Sequence, residues 1–96
     1  MDAGDIYRAD LNDEVVRRVL IVSVQRFNQL SARAIVAPEI GLPPDEIAPP
    51  WRVEVDGVVF AVDMLRSLPV DRLLDRVDRC PADVVERVRT VVRHII

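Results

Sequence analysis

The distribution of apolar and polar residues predicts a chain built mainly from short β-strands. A first, half-buried strand is predicted over 4–11, where apolar and polar side chains alternate after a glycine. A second is predicted over 17–24, where Arg17 and Arg18 lead into a short aliphatic run. Such a run is typical of a central strand that is buried on both faces. Because removing a guanidinium from water is costly, both arginines are expected at the end of that strand, in contact with solvent.

The segment after this strand predicts a helical turn and then a third strand. Residues 25–30 contain no β-branched residue, and we expect one turn of helix with Phe27 and Leu30 facing inward. A third strand is predicted over residues 32–37, and Pro38 is expected to end it.

The second half of the chain contains the clearest turn signal and the clearest helix. Asp56-Gly57, between strands at 51–55 and 58–62, is typical of a two-residue β-hairpin. Four prolines and a glycine between 39 and 50 predict a loop before it. A strand ending at Pro69, a helical turn and a short strand are predicted at 63–68, 70–74 and 75–79.

A C-terminal helix is predicted from Pro81 onward, because apolar residues recur there at helical spacing. Its apolar stripe consists of Val84, Val88, Val91 and Ile95, with Val85 and Val92 beside them. Five to seven short strands closed by one helix indicate a mainly β (α+β) fold, a small barrel forming a single domain over 1–96.

Composition narrows the class of protein. The 96 residues carry a formal net charge of −3, and the only cysteine, Cys80, excludes an internal disulfide and a cysteine-based zinc site. No apolar run reaches the roughly 18 residues of a membrane helix, and the first residues do not resemble a signal peptide. We expect a cytoplasmic protein without metal, cofactor, membrane contact or direct DNA contact.

The basic residues are all arginine, and their distribution is uneven. Residues 1–70 hold seven arginines and eleven carboxylates, a formal −4, whereas 71–96 hold six and five, a formal +1. The use of arginine without any lysine has two explanations. Either arginine serves bidentate phosphate contacts, or the codon usage of a GC-rich genome favours it. RNA binding would therefore require a local arginine cluster on an acidic body.

Several short motifs occur in an order that resembles the MazF/PemK (Kid) family of toxin endoribonucleases and, more distantly, CcdB. The residues that carry the resemblance are Gly4-Asp5-Ile6-Tyr7, Asp10-Leu11, Arg18-Val19-Leu20-Ile21-Val22-Ser23, Asn28, Ala34-Ile35-Val36-Ala37-Pro38 and Val62-Asp63-Met64-Leu65-Arg66-Ser67-Leu68. The resemblance implies an SH3-like barrel and a homodimeric toxin of a type II toxin–antitoxin system. It also implies a MazE-like antitoxin that neutralises the toxin through an extended tail.

By the same resemblance, the activity would be that of an mRNA interferase, which cleaves single-stranded RNA at specific sequences without a metal. The ribose 2′-hydroxyl attacks phosphorus, so the reaction needs a base, an acid and a cation near the phosphoryl oxygens. Arg18 is the predicted catalytic cation. Glu39 is the candidate base, or else a solvated charge. Contacts to RNA are predicted for Arg17, Ser23, Arg26 and Asn28.

Other residues limit or qualify this assignment. His94 is the only histidine, which excludes a two-histidine mechanism, and it is expected at the surface or as a helix cap. Trp51 could stack on a base or take part in core packing or a dimer interface. The first loop of the family is shortened here to 12–16, and Ile40-Gly41 occupy the positions of the family's hydroxyl pair.

These departures support a second hypothesis. The chain could be a nuclease-deficient binding module that keeps dimerisation and recognition of an antitoxin or, like CcdB, of another protein.

Overall fold

The computed structural model describes residues 1–12, 15–41 and 50–96, which form one antiparallel sheet and two α-helices. The strands in this part of the chain are β1 (Asp5–Ala9), β2 (Arg17–Ile21), β3 (Arg33–Ile40), β4 (Arg52–Val55), β5 (Val58–Ala61), β6 (Arg66–Pro69) and β7 (Leu73–Arg79). The helices are α1 (Gln25–Ser31) and α2 (Ala82–Ile95), and short 3-10 turns cover Val62–Met64 and Val70–Arg72. Neither α-helix is long and apolar enough to cross a membrane.

The sheet curls so that its two ends approach each other. The strand order is β4-β5-β3-β2-β1-β7, and β6 pairs with β3 outside this path. The turn between β4 and β5 nevertheless comes close to β7, as the contact between the side chains of Asp56 and Asp78 shows. The predicted fold class is a mainly β (α+β) small barrel of five to seven strands with a C-terminal helix. The structure confirms it, in the form of a curled antiparallel sheet with a C-terminal helix.

Strand β2 lies at the centre of the core, as its aliphatic run predicted. Val19, Leu20 and Ile21 are all almost completely buried, while Arg17 and Arg18 before them are exposed. Side chains of this strand point alternately to the two faces of the sheet, so β2 contributes to both apolar clusters. The strand ends at Ile21 rather than at residue 24, because the chain turns there to enter α1.

Two apolar clusters stabilise the two faces of the sheet. The first lies against α2 and includes Leu20, Phe60, Val88 and Val91. The second lies on the opposite face and includes Val19, Ile21, Val36 and Leu68. The valine stripe of α2 therefore packs on the sheet as predicted, although Ile95 at its end is 40% exposed.

Helix α1 forms where it was predicted, but the predicted orientation of its apolar residues is wrong. Phe27 and Leu30 are 43% and 78% exposed, whereas Asn28 is 2% exposed. The Asn28 amide donates to the carbonyl oxygens of Ser23 (3.1 Å) and Met1 (3.4 Å). Polar side chains face inward here because they satisfy backbone groups where the chain leaves β2.

The prediction that Pro38 stops the third strand is also wrong, since β3 continues to Ile40. One edge of β3 pairs with β6 as far as Val36 and with β5 from Glu39 onward. Pro38 lies at this change of partner, where its missing N–H interrupts no ladder bond of that edge. Of the loop predicted at 39–50, residues 42–49 lie outside the described part, as do residues 13 and 14 of the shortened first loop.

The Asp56-Gly57 hairpin is confirmed, with both residues at positive φ (49° and 82°) and Val55 paired with Val58. The helical turn expected at 70–74 is the 3-10 turn at 70–72. β7 begins at Leu73, two residues earlier than predicted.

Gly4 joins β2, β7 and α2 at one point. Its N–H donates to the Ile21 carbonyl and its carbonyl accepts from the Cys80 N–H, both at 2.8 Å. Its φ is +96°, and a Cβ atom added there would lie 2.6 Å from Val85 Cγ2 on α2. The position therefore requires glycine both for its backbone angle and for its packing.

We predict that Gly4→Ala lowers the free energy of unfolding by about 2 kcal/mol, because left-handed strain and overlap with Val85 add together. Urea denaturation measures this change. Gly41→Ala is the matched control, since among the described residues, its chain neighbours aside, no atom lies within 4 Å of its added Cβ, and it should change stability by less than about 0.5 kcal/mol. Equal losses in the two variants would contradict the packing described here, and Val85→Ala should recover part of the loss in Gly4→Ala.

Candidate active site

A cleft of about 470 Å³ lies between the β1–β2 wall and the opposing β4–β5 turn and β7. Apolar side chains, including Ile6, Val55 and Phe60, line part of it. The charged side chains that line it are Arg8, Arg17, Arg18, Glu39, Asp56 and Asp78. The cleft thus combines cations from β1 and β2 with carboxylates from β3, the hairpin turn and β7.

Arg18 and Glu39 form the central contact of this cleft. The backbone N–H of Arg18 donates to Glu39 Oε1 at 2.7 Å, and Arg18 Nη2 lies 3.4 Å from Glu39 Oε2. Their side chains are 47% and 24% exposed, so the pair faces solvent. Glu39 is held firmly by the backbone contact, while the guanidinium is held loosely by a long ionic contact.

The ladder between β2 and β3 explains why these two residues meet. Toward the start of β2, the last pair of this ladder is Val19–Pro38. The next residue of β3, Glu39, pairs with Phe60 of β5. One residue beyond the Val19–Pro38 pair, the Arg18 N–H therefore meets the Glu39 carboxylate instead of a backbone carbonyl. Pro38 and the end of β2 together position the carboxylate beside the arginine.

Two more arginines extend the positive side of the cleft. Arg8 of β1 stands directly opposite Arg18 in the register, and Arg17 stands opposite Ala9. Like charges on directly paired residues repel each other. Arg8 Nε contacts Asp75 Oδ1 at 2.6 Å, and Arg18 has Glu39, so each member of the arginine pair has a carboxylate that offsets the repulsion.

The opposite side of the cleft carries two carboxyl groups in contact. A side-chain hydrogen bond with Asp78, together with repulsion from the Asp78 charge, raises the pKa of Asp56. Two carboxylates that share a site disfavour double ionisation, so this pair can retain a proton at a pH where a lone aspartate would have lost it.

The structure separates the six predicted site residues into two groups. Arg17, Arg18 and Glu39 line the cleft, whereas Ser23, Arg26 and Asn28 do not. Ser23 Oγ donates to Asn28 Oδ1 and accepts from the Ile35 N–H at 2.9 Å, and Asn28 is buried. In this arrangement Ser23 and Asn28 connect α1 to β2 and β3, and Arg26 is exposed on α1. Their contact with RNA stays a prediction.

The remaining candidates lie outside this cleft. Ile40 is half-buried and pairs with Val59, so no hydroxyl stands there. His94 Nδ1 lies 2.7 Å from the Thr90 carbonyl in the last turn of α2, as expected of a residue near a helix end. Burial raises the pKa of the Cys80 thiol to about 11, which argues against Cys80 as a nucleophile.

The cleft contains residues that sequence reasoning missed. Arg8, Asp56 and Asp78 line it, although Asp56 was recognised only as a turn residue and Arg8 only as a polar position of β1. Alternation along β1 could have indicated that Arg8 is exposed, but no local signal brings residue 56 to residue 78. Within the described ranges, no cluster of three or more His, Cys, Asp or Glu side chains could hold a metal ion.

Comparison with solved structures identifies the same fold elsewhere. A mycobacterial endoribonuclease in complex with its cognate antitoxin superposes with a TM-score of 0.83 at 19% identity, covering 98% of this chain and 92% of that one. A MazE–MazF crystal structure from Deinococcus radiodurans gives 0.80 at 24%, covering 99% and 94%. The Mycobacterium tuberculosis toxin MazF-mt6 gives 0.78 at 20%, covering 94% and 93%.

These identities are low, so the structural likeness establishes the fold alone. No curated protein matches the chain in sequence. The family model described as "PemK-like, MazF-like toxin of type II toxin-antitoxin system" matches residues 2–96, which is almost the whole chain. The chain therefore belongs to the PemK-like, MazF-like family of toxins of type II toxin–antitoxin systems.

Proposed function

We propose that this toxin is a metal-independent endoribonuclease that cleaves single-stranded RNA at specific sequences in the cleft. The observation that carries the proposal is the contact between Arg18 and Glu39, which places a cation and a carboxylate together in a solvent-accessible cleft. Cleavage of a phosphodiester needs the cation to stabilise the charge that develops on the phosphate. It needs the carboxylate to accept the proton of the 2′-hydroxyl.

The proposed reaction uses the two contacts of Glu39 differently. The N–H of Arg18 fixes the carboxylate at 2.7 Å, so Glu39 keeps its position when substrate arrives. The guanidinium, at 3.4 Å from the other oxygen, can turn toward a phosphate and form the shorter bidentate contacts that phosphate allows. Arg17, beside Arg18 on β2, adds positive charge along the path of the RNA backbone.

In the chemical step, the ribose O2′ transfers its proton to Glu39 and attacks the adjacent phosphorus. The bond from phosphorus to O5′ breaks, which leaves a 2′,3′-cyclic phosphate and an O5′ that takes a proton. Among the carboxyl groups of the cleft, Asp56 is the candidate to supply that proton, because contact with Asp78 raises its pKa.

The biological setting of the proposal follows from the family. We propose a cytoplasmic toxin that acts as a homodimer and is neutralised by a MazE-like antitoxin. In support, the mycobacterial endoribonuclease was solved in complex with its cognate antitoxin, and the Deinococcus radiodurans structure contains MazE with MazF. Since the chain carries a net charge of −3, attraction to RNA depends on the arginines of the cleft rather than on the whole surface.

We predict that Arg18→Ala reduces cleavage of a single-stranded RNA by at least about 100-fold, because it removes the cation at the phosphate. Glu39→Gln should cause a similar loss while leaving RNA binding within a few-fold, because the neutral amide can still accept the Arg18 N–H but is a poor base. Product analysis on gels, with EDTA present, measures both effects.

Arg93→Ala, at an exposed position in the last turn of α2, is the matched control and should cleave normally. If purified Arg18→Ala cleaved as fast as the control, the proposed role of this arginine would be wrong.

One observation favours a second candidate function, a nuclease-deficient module that binds a partner protein. Ile40, paired with Val59, stands at the position of the family hydroxyl, and Arg18 is already in contact with a carboxylate. A chain of this kind would keep its partners without cleaving RNA.

Ile40→Thr distinguishes the two candidates. If the native chain is a nuclease that relies on Glu39, the substitution should change the cleavage rate by less than about tenfold. Cleavage that is absent in the native chain and appears in Ile40→Thr would instead establish the binding module. The comparison requires both proteins at equal concentration, with folding verified by circular dichroism.

A further inference from the structure

Four charged side chains form a row across β7, β1, β2 and β3, beside the cleft. Asp75 of β7 is paired with Arg8 of β1, and Arg8 is paired in turn with Arg18 of β2. Glu39 of β3 continues the row through its contact with Arg18. Residues that are paired directly across antiparallel strands point to the same face of the sheet. The row therefore places two arginines in the middle and one carboxylate at each end.

The contact between Arg8 and Asp75 lies in an irregular stretch of the pairing between β1 and β7. The register shifts before Tyr7 and again after Arg8, so that β7 carries an extra residue at each of these points. Such bulges redirect the side chains of a strand and occur often beside active sites. Between them Arg8 keeps Asp75 as its direct partner, with Arg8 Nε 2.6 Å from Asp75 Oδ1. The strand pairing itself therefore brings this carboxylate to Arg8.

The Arg8 guanidinium keeps most of its hydrogen-bonding capacity while it contacts Asp75. Its side chain is 52% exposed, and it lines the same cleft as Arg18 and Glu39. In the described part of the chain, Nε makes the only hydrogen bond of this side chain. The four N–H groups on Nη1 and Nη2 can therefore donate to an anion in the cleft, in the bidentate arrangement that a phosphate accepts.

The two outer carboxylates hold the two arginines apart. Guanidinium groups on directly paired residues repel each other. Asp75 attracts Arg8 toward one end of the row, and Glu39 lies beside Arg18 at the other end. Cations separated in this way are better placed to contact two phosphates than to surround the same one. A single strand of RNA presents its phosphates in succession, so a strand that lies along the row would bring one to each arginine.

We propose that Arg8 binds the phosphate next to the one that Arg18 contacts, and that Asp75 occupies Arg8 until RNA takes its place. This inference rests on the proposed function, which assigns the scissile phosphate to Arg18. Arg8 then contributes to the binding of RNA and not to the chemical step, because it holds a phosphate that does not react. Since Asp75 competes with the phosphate for the guanidinium, it lowers the affinity of the free protein for RNA.

Two measurements separate binding from chemistry. The full chain is titrated with a single-stranded RNA that is 2′-O-methylated at each nucleotide, and cleavage of the unmodified RNA is followed in single turnovers at saturating protein. Arg8→Ala should weaken binding by about fivefold or more, and it should reduce the slope of log affinity against log salt concentration by about 0.7, as expected for the loss of one phosphate contact. The saturated cleavage rate should stay within about twofold of the native rate.

Asp75→Asn tests the competition, because it should strengthen RNA binding by about threefold or more. A general gain from the loss of a negative charge would also occur without Arg8, so the double variant Arg8→Ala/Asp75→Asn distinguishes the two causes. When Arg8 is absent, the gain from Asp75→Asn should fall below about 1.5-fold. A gain of the same size with and without Arg8 would overturn the role given to Asp75.

Arg89 and Glu86 on α2 provide matched controls, because they form an exposed ion pair at 2.8 Å and do not line the cleft. Arg89→Ala and Glu86→Gln change the net charge in the same way as the test variants, and they should leave RNA binding within about 1.5-fold. Exposed ion pairs contribute little to stability, so thermal unfolding of all variants should match that of the native chain. Equal losses of binding in Arg8→Ala and Arg89→Ala would overturn the role of Arg8.

The outcomes also distinguish this inference from the proposed nuclease. If the native chain binds RNA without cleaving it, and Arg8→Ala weakens binding, the nuclease is wrong and the role of Arg8 holds. If the native chain cleaves RNA, and Arg8→Ala binds and cleaves equally well, the role of Arg8 alone is wrong. A lower saturated rate in Arg8→Ala with unchanged binding would place Arg8 in the chemical step and contradict the inference. A native chain that does not bind RNA would overturn both proposals.

Discussion

Burial of β2 on both faces is the constraint on which the rest of the structure depends. Val19, Leu20 and Ile21 are each about 1% exposed or less, and their side chains enter apolar clusters on opposite faces of the sheet. A strand of this kind cannot shift by one residue without exchanging both sets of side chains. Its register therefore fixes where β1 and β3 lie on either side, and it fixes the point at which arginine must emerge into solvent.

The candidate active site lies where the buried part of β2 begins and the strand meets solvent. Arg18 is the last residue before the buried run, and its N–H finds the Glu39 carboxylate just beyond the Val19–Pro38 pair. The same register sets Arg8 against Arg18, which concentrates positive charge on an otherwise acidic protein. The cluster of arginines thus arises from strand pairing alone, between described residues of β1 and β2.

Much of this arrangement could be predicted from the sequence, and the errors have physical causes. The buried run of β2, the Asp56-Gly57 hairpin and the valine stripe of α2 are local patterns, and the structure confirms all three. Pro38 was misjudged because its position depends on a change of strand partner, which no local pattern records. The orientation of Phe27 and Leu30 was predicted wrongly, because the inward position of α1 is taken by Asn28, whose amide donates to backbone carbonyls. The contact of Asp56 with Asp78 depends on the curl of the whole sheet.

The central claim is that Arg18 and Glu39 together form the phosphate site, and side-chain NMR tests it most directly. The native chain, labelled at arginine side-chain nitrogens and glutamate carboxyl carbons, is titrated with a single-stranded RNA made uncleavable by 2′-O-methylation of each nucleotide. We expect saturable shifts of the Arg18 Nε and Glu39 Cδ resonances at one common dissociation constant, as the guanidinium leaves the carboxylate for the phosphate. Saturable shifts confined to arginines outside the cleft, with Arg18 and Glu39 unchanged, would contradict the proposed phosphate site.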